Sequence, residues 1–242
     1  MFHFEPIGVL QTCFKEKFGV PRQPGLVPSA IAILKLRNDP FFKSAVREIE
    51  KFSHLWIVFV FHQHDAKSWK PSIRPPRLGG RKKVGVLASR SPHRPNPIGL
   101  SCVKLEKIDV TATGGIELHL SGVDCLDGTP VLDIKPYLPY CDSIPDASSG
   151  WAPVHQERIT VHFSEKALQI MGSEKASAYP QLQTLIREIL ELDPRPAFQQ
   201  KKLPTDAPHS EGTLYGFRLF CFDVQWGIKD HEFHVLDLIE LN

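Results

Sequence analysis

Three short segments combine charged or polar side chains with prolines that hold the backbone in fixed directions. They are residues 20–25 (VPRQPG), residues 88–99 (ASRSPHRPNPIG) and residues 126–137 (LDGTPVLDIKPY). An arginine guanidinium recognises a carboxylate or a phosphate through two hydrogen bonds, and glycine lets a ligand approach the backbone closely. The segments therefore predict a binding site, although residue types alone do not name a reaction.

Sequence motifs of several common enzyme classes are absent from the chain. No Gly-x-Gly-x-x-Gly follows a strand and opens a helix, and neither a Walker loop nor a Gly-x-Ser-x-Gly motif occurs. These absences argue against a Rossmann-type enzyme.

Cysteine and histidine spacing gives no sign of a disulfide framework or of a metal site. The chain has five cysteines, at positions 13, 102, 125, 141 and 221, without a Cys-x-x-Cys motif. We expect them to be reduced thiols, mostly buried. His62 and His64 share one face at strand spacing, but no third ligand is obvious, so no metal is predicted.

Basic residues are concentrated in one stretch of a chain whose net charge is only +2. Residues 66–105 contain ten lysines and arginines and no acidic residue, which leaves 19 basic residues against all 27 acidic ones elsewhere. Six prolines and the pair Gly79-Gly80 exclude a long helix there and favour stiff, extended loops. Arg77 and Arg81 on such loops lose little entropy when they bind phosphate, and Trp69 is able to stack on a base. This stretch predicts an RNA-binding face.

The length and composition predict one large domain with a smaller annex. A chain of 242 residues with 42% apolar content can bury a full core. A shift to Ser, Asp, Pro and Gly around residues 142–153 suggests a main domain at 1–150 and an annex at 151–242. No run of eighteen apolar residues and no secretory signal is found, so we expect a soluble, cytoplasmic protein.

The elements that must position the three segments are mainly strands. Apolar runs with turns between them predict strands at 5–12, 53–62, 84–88, 100–110, 116–123 and 131–134. The run at 53–62 is nearly continuous, as in a strand buried on both faces. Asp39 and Pro40 predict the start of a helix that ends near Lys51. Many strands, one early helix and close turns favour a Greek-key or meandering β-barrel.

The annex is predicted to be a small α/β unit, so that the whole chain is mainly β in the α+β class. A strand is expected at 159–163, and Ser164 is expected to cap the helix that follows it. A second helix, 180–192, has an apolar face, and Asp193-Pro194 ends it. Two C-terminal strands are expected, at 215–226 and 232–239.

Five segments resemble the hallmark segments of the TsaA-like family, whose members are also called YaeB or TrmO proteins. They are residues 21–25 (PRQPG), 52–56 (FSHLW), 74–80 (RPPRLGG), 90–100 (RSPHRPNPIGL) and 127–137 (DGTPVLDIKPY), and residues 193–197 (DPRPA) extend the likeness into the annex. The segments follow one another in the order that the family has.

This resemblance implies a β-barrel methyltransferase that uses S-adenosylmethionine, acts on N6 of threonylcarbamoyladenosine at position 37 of threonine tRNAs, and works as a homodimer. Carried over position by position, it implies that the cofactor is bound by Pro21, Arg22, Gln23, His62, Gln63, Arg90, Leu100, Leu126, Asp127, Gly128 and Thr129. The resemblance also implies that the annex takes part in binding tRNA.

The chemistry of this substrate suggests further roles. N6 of threonylcarbamoyladenosine is a poor nucleophile because its lone pair is delocalised, so we expect Asp127 or Asp133 to accept or steer its proton. Lys135 or Arg94 would bind the threonyl carboxylate. The basic residues expected to contact phosphates of the anticodon stem are Lys70, Arg74, Arg77, Arg81, Lys82 and Lys83, and Arg94 joins them as a contact to the RNA.

Two alternatives remain open at this point. Charge and a β-barrel would equally suit an RNA-binding module without enzymatic activity. A methyltransferase that acts on a small molecule or a protein is the other alternative. Binding of S-adenosylmethionine tests the first, and methyl transfer to tRNA with and without the threonylcarbamoyl group tests the second.

Overall fold

The structure is a computed structural model, and it describes residues 3–64, 66–75, 78, 82–152, 158–196, 199–200, 204–205 and 212–241. None of the helices within these residues is both long and apolar enough to cross a membrane.

A closed antiparallel barrel forms the first part of the described chain, which confirms the prediction of a mainly β, barrel-like fold. Its strands follow one another around the barrel in the order β1, β2, β7, β6, β3 and β8. Their bounds are β1 Gly8–Thr12, β2 Ile31–Leu36, β3 His54–Val60, β6 Ile98–Asp109, β7 Glu117–Ser121 and β8 Thr129–Pro136. Closure leaves no unpaired barrel edge.

Alternating burial along the strands places one face of each in the barrel interior. In β3, Leu55, Ile57 and Phe59 are buried, whereas Trp56 and Val58 are only partly covered. The prediction that this strand is buried on both faces is therefore wrong. The apolar segment 53–62 is nearly continuous because residues on the outer face of β3 are apolar as well. Trp56 lies on this outer face, where its indole N–H donates to Asp142 Oδ2 at 3.0 Å.

Other local predictions also need correction. Strand β2 was not expected, although its alternating burial is regular. The helix expected between Asp39 and Lys51 is broken into α1 (Phe42–Ala45) and a 3-10 turn (Ile49–Lys51). The break falls at Glu48, whose φ of 70° is incompatible with a continuing helix. The strand expected at 84–88 is a two-residue strand β5 (Val84–Gly85), paired with β4 (Ser72–Ile73) and followed by a 3-10 turn.

The C-terminal part of the described chain is a second sheet with strand order β10, β11, β12, β9, packed with helices. Ser164 caps the first helix as predicted, since its side chain accepts from the Ala167 N–H. Three strands are found where two were expected, because Phe220 at φ 53° turns the chain inside the first of them. The bounds are α2 Pro139–Asp142, β9 Val161–Phe163, α3 Glu165–Met171, α4 Glu174–Ser177, α5 Leu182–Glu191, β10 Leu214–Leu219, β11 Phe222–Lys229 and β12 Glu232–Glu240.

Direct contacts join the barrel to the C-terminal sheet. Phe14 forms a β-bridge with Leu219, and the Ser29 hydroxyl donates to Glu188 Oε2 at 2.6 Å. Buried apolar side chains of the barrel and of the C-terminal sheet belong to one continuous cluster. The division into domains at residue 150 stays a prediction.

Candidate active site

A cavity of about 590 Å³ opens between the loop at 20–23, the end of β3 and the loop at 89–94. The start of β6, residues 124–126 and Thr129 complete its wall. This volume lies within the range of about 300 to 1,000 Å³ that is typical of small-molecule sites. Segments far apart in the sequence thus meet at one concave surface.

Strand pairing determines the apolar wall of the cavity. Phe59 on β3 lies opposite Gly99 on β6, and a Cβ atom at Gly99 would stand only 2.2 Å from Cζ of Phe59. The ring therefore occupies the space that any other residue at position 99 would fill. Phe61 packs edge-on against Phe59, with ring centroids 5.1 Å apart. Glycine is required here for close approach rather than for backbone freedom.

Most of the residues expected to bind a cofactor line this cavity. Asp127 and Gly128 do not line it. The remaining nine do: Pro21, Arg22, Gln23, His62, Gln63, Arg90, Leu100, Leu126 and Thr129. The roles of all eleven toward a cofactor stay predictions.

Side-chain hydrogen bonds occupy the carboxylate of Asp127. Its Oδ1 accepts from the Thr12 backbone N–H and its Oδ2 from Lys15 Nζ, both at 2.8 Å. These bonds tie the turn before β8 to β1. These contacts give Asp127 a structural task, and its expected role in proton transfer stays a prediction.

Asp133 and Lys135, the other two residues expected to be catalytic, also lie outside the cavity lining. They sit two residues apart on the same face of β8 and pair with each other at 2.8 Å. The Lys135 side chain is 67% exposed and that of Asp133 49% exposed. They lie outside the lining because β8 runs away from the cavity after Thr129, and the catalytic roles expected for these residues stay predictions.

Asp124, which sequence reasoning missed, is the carboxylate that lines the cavity within the described part of the chain. The Ser101 hydroxyl donates to its Oδ1 at 2.5 Å, and Cys125 Sγ lies 3.8 Å from the same oxygen. Burial raises the pKa of Asp124 to about 6, against the opposing effects of the hydrogen bond from Ser101 and of the Arg90 charge. An acidic residue inside the mostly apolar run 120–126 was the sequence signal that could have identified it.

Hydrogen bonds orient the two arginines expected to contact the cofactor. The Arg22 guanidinium donates to the backbone oxygen of Arg195 at 2.9 Å, which attaches the cavity wall to the C-terminal part. The Arg90 guanidinium donates to Oε1 of Gln23 at 2.7 Å.

Two cavity histidines retain unsatisfied nitrogen atoms. The rings of His64 and His93 are 4.2 Å apart, and buried His64 Nε2 and His93 Nδ1 have no hydrogen-bond partner among the described residues. Burial, followed by the proximity of His64, lowers the pKa of His93. Both residues line the cavity, while these two nitrogens are buried.

The five cysteines are free thiols, as expected. Cys13 and Cys125 are buried, whereas Cys141 is exposed, so that burial is less general than predicted. Burial raises the pKa of Cys13 to about 12, which leaves it an inert thiol at neutral pH.

One cluster of possible metal ligands lies on the C-terminal sheet, away from the cavity. The ligand atoms of His162, Glu232 and His234 are within 4.8 Å of one another. A 2.5 Å hydrogen bond between His162 and Glu232 accounts for two of these groups. The prediction that the protein needs no metal stays a prediction.

The basic segment lies beside the cavity. The Lys70 backbone N–H donates to His93 O at 3.0 Å, and the Val86 N–H donates to Pro71 O, which holds the β4–β5 hairpin against the cavity loop. Arg94, expected to contact RNA, lines the cavity itself. Arg77 and Arg81 lie outside the described residues. The other four residues predicted to contact RNA are exposed and form no ion pair with a described residue: Lys70, Arg74, Lys82 and Lys83.

Comparison with family models matches nearly the whole chain. The model of the tRNA-methyltransferase O N-terminal domain matches residues 9–143, and that of the TrmO C-terminal domain matches residues 156–241.

Individual relatives agree with this result. A tRNA (adenine(37)-N6)-methyltransferase of Escherichia coli is 46% identical over 239 residues, covering 98% of this chain and 97% of the relative. A protein of Pseudomonas aeruginosa that carries the name S-adenosylmethionine-dependent methyltransferase RcsF is 43% identical, with coverage of 91% and 90%. The crystal structure of TrmO from P. aeruginosa superposes with a TM-score of 0.78 at 37% identity, over 99% of this chain and 97% of that one.

Proposed function

The chain belongs to the TrmO family of tRNA methyltransferases, and from this membership we infer that it transfers a methyl group from S-adenosylmethionine to N6 of adenine 37 in tRNA. Relatives that carry this activity in their names match the chain at 46–50% identity, and one of them matches it over almost its full length. The residues around the cavity are consistent with this reaction.

The cavity fits the cofactor in size and in chemistry. S-adenosylmethionine combines an adenosine, an amino acid and a sulfonium cation, so it needs an apolar wall together with polar and charged groups. Phe59 and Phe61 supply the wall, and the polar side chains of Gln23, Gln63 and Arg90 line the same cavity. The observation that carries the proposal is that this cavity lies next to a hairpin whose described basic residues form no ion pair with the described chain.

The chain's own residues bind, orient and shield the reactants. When bound, the cofactor supplies a methyl group on a positively charged sulfur atom. The nine cavity residues expected to bind the cofactor hold it, and the apolar wall excludes water from the reacting atoms. N6 of the adenine must lose a proton as its new bond to carbon forms, so a proton acceptor beside it favours the reaction.

We further propose that the adenine carries a threonylcarbamoyl group. Delocalisation into the carbonyl makes this N6 a weak nucleophile, and the threonyl carboxylate adds a charge that a cationic side chain can recognise. Arg94 suits this task better than Lys135, since Arg94 lines the cavity and Lys135 is paired with Asp133 outside it.

Methyl transfer to two tRNA preparations tests this function. Threonine tRNA is made with and without the threonylcarbamoyl group and incubated with the protein and labelled S-adenosylmethionine. Label at adenine 37 of the modified tRNA, located by digestion and mass spectrometry, is expected. Equal labelling of both preparations contradicts the substrate proposal, and no labelling of either contradicts the assigned activity.

The exposed hairpin is proposed to bind the anticodon stem-loop. Lys70, Arg74, Lys82 and Lys83 are exposed and have no acidic partner in the described chain, so they are free to approach phosphates. Arg77 and Arg81 belong to the same basic segment and are included in the proposal on sequence grounds.

We also propose a homodimer that acts in the cytoplasm, where tRNA is modified and used. The large apolar side chain of Leu87 is exposed near the cavity and would be covered by a second subunit. Light scattering of the purified protein at several concentrations checks the subunit number, and a monomer throughout would contradict this part of the proposal.

A further inference from the structure

We propose that Asp124 is the catalytic base that takes the proton from N6 of the adenine during methyl transfer. This assignment rests on the proposed function and deepens it. It follows from the position of one carboxylate in the cavity, from the way its two oxygens are held, and from the charges around it.

Position separates Asp124 from the other acidic residues of the described chain. The residues that line the cavity include the cations Lys17, Arg22, Arg90 and Arg94, but Asp124 alone among them carries a carboxylate. A base must lie within hydrogen-bond reach of the proton that it removes. Asp127 and Asp133 are held in contacts outside the cavity lining, which leaves Asp124 in the required place.

Hydrogen bonding makes the two oxygens of Asp124 unequal. Oδ1 accepts from the Ser101 hydroxyl and lies near the Cys125 thiol. Oδ2 receives no hydrogen bond from another residue of the described chain, and it is not among the fully buried polar atoms that lack a partner. Ser101 thus fixes the orientation of the carboxylate, and Oδ2 remains available to a ligand in the cavity.

The surroundings make Asp124 a stronger base than an ordinary aspartate while leaving it ionised at neutral pH. Burial disfavours its charged form, and the groups that favour that form are the Ser101 hydroxyl, its own backbone N–H, the Cys125 thiol and the Arg90 guanidinium. The pKa of about 6 that results lies closer to the working pH than that of a solvated aspartate. A base whose pKa is near the working pH transfers protons efficiently.

The proposed step balances in atoms and charge. The N6 lone pair forms a bond to the methyl carbon as the bond from that carbon to the sulfonium sulfur breaks, and its electron pair stays on sulfur. The N6–H bond breaks, and the proton moves to Oδ2 of Asp124. The carboxylate becomes a carboxylic acid, which then releases the proton to solvent.

The first test replaces the carboxylate by a group of the same shape that cannot accept a proton. In Asp124→Asn we expect the single-turnover rate of methyl transfer at saturating reactants to fall by about 100-fold or more, as loss of a general base requires. Dissociation constants of S-adenosylmethionine, from calorimetry, and of tRNA should stay within about threefold of the parent values. Asp237→Asn, which alters a half-buried carboxylate paired with Lys166 on the C-terminal sheet, is the matched control and should keep the parent rate.

A second variant keeps the carboxylate and changes only its pKa. Ser101→Ala removes the hydrogen bond that stabilises the ionised form, so the pKa of Asp124 should rise. In a plot of the methyl-transfer rate against pH, the acidic limb should move to higher pH together with this pKa. A readout that needs no activity is the titration of the Asp124 carboxyl carbon by NMR, which should give a pKa near 6 in the parent and a higher value in Ser101→Ala.

Three results overturn the assignment. One is a rate in Asp124→Asn within about threefold of the parent. Another is a loss of cofactor affinity as large as the loss of rate, because Asp124 would then bind the cofactor instead of accepting the proton. The third is an acidic limb that does not move in Ser101→Ala although the carboxyl titration does. A parent protein that methylates no tRNA overturns the proposed function itself, so the two failures are distinguishable.

Discussion

The guanidinium of Arg22 in the cavity wall donates a hydrogen bond of 2.9 Å to the backbone oxygen of Arg195, a residue 173 positions away in the chain. Arg195 is itself only 1% exposed, and its guanidinium makes two 2.8 Å hydrogen bonds to the carboxylate of Asp193. The segment that follows α5 therefore supports a residue expected to contact the cofactor. The C-terminal part helps to shape the cavity through this contact.

Removing the buried cation should both destabilise the protein and weaken the cavity wall. In Arg195→Ala the Asp193 carboxylate loses its partner, so we expect a loss of about 3 kcal/mol in the free energy of unfolding, measured with urea. The dissociation constant of S-adenosylmethionine should rise because the backbone oxygen that accepts from Arg22 belongs to a segment that loses the ion pair with Asp193. Arg158→Ala breaks an exposed pair with Glu191 and is expected to cost under about 1 kcal/mol. Equal costs for the two variants would contradict this prediction.

The pKa of Asp124 predicts a particular pH dependence of stability. Because its folded-state pKa of about 6 lies above the ordinary value of 3.8, the native protein binds more protons than the unfolded chain between these two pH values. This carboxyl therefore lowers stability as pH rises from about 4 to about 6, by at most about 3 kcal/mol.

Asp124→Asn should remove this effect. At pH 7.5 we expect the free energy of unfolding of the variant to exceed that of the parent by about 1–3 kcal/mol, so that the variant unfolds at a higher temperature. This difference in stability should vanish near pH 4. Calorimetry across this pH range checks the prediction. A variant that is less stable than the parent at pH 7.5 would show that the charged form of Asp124 is not disfavoured in the fold.

Gly99 should tolerate no side chain. In Gly99→Ala the new Cβ would collide with the Phe59 ring, so we expect a loss of about 1–3 kcal/mol in unfolding free energy and weaker cofactor binding. Gly85→Ala is the control, since its Cβ would meet no atom within 4 Å. Thermal unfolding and calorimetric titration with S-adenosylmethionine measure both effects. If Gly99→Ala bound the cofactor with unchanged affinity, the Phe59 ring would not be part of the cofactor-binding site.

The basic hairpin should contribute affinity that depends on salt. The double variant Lys82→Ala/Lys83→Ala is expected to bind tRNA more weakly, and the slope of log affinity against log salt should shrink by about one for each phosphate that the variant no longer neutralises. Filter binding at several salt concentrations measures this slope. Lys229→Ala alters an exposed lysine on the C-terminal sheet and should leave it unchanged. If the slope of log affinity against log salt were the same in the double variant and the parent, the RNA would bind to a different surface of the protein.

Arg94 should discriminate between the two forms of the adenine. Loss of its guanidinium in Arg94→Ala is expected to lower kcat/KM for threonylcarbamoylated tRNA by about 10- to 100-fold, because the threonyl carboxylate loses a charged partner. Lys135→Ala, outside the cavity lining, should have a much smaller effect. Equal effects of the two substitutions in steady-state assays would contradict the preference for Arg94.

Local patterns in the sequence predicted the class of the fold but not all of its elements. The alternation in β7 and β12 and the cap at Ser164 are determined by neighbouring residues, so they were recognisable. Strand β2 is not indicated by its residue types, IAILKL, which are almost all apolar, and only its burial alternates. The helix expected after Asp39 is interrupted because Glu48 turns the backbone to a positive φ. Helix propensities do not predict such a break, because the tertiary structure can override the intrinsic preference of a residue.

The sequence by itself determined the family, the barrel, the basic segment and most of the cavity residues, because these depend on short segments whose residue types are directly readable. Only the tertiary structure decided which carboxylate faces the cavity. Ser101 and Asp124 are 23 residues apart and meet through the folding of the barrel, whereas Asp127, in a more conspicuous motif, is held by Thr12 and Lys15. The basicity of a carboxyl group depends on its burial and its partners, and both are properties of the folded chain.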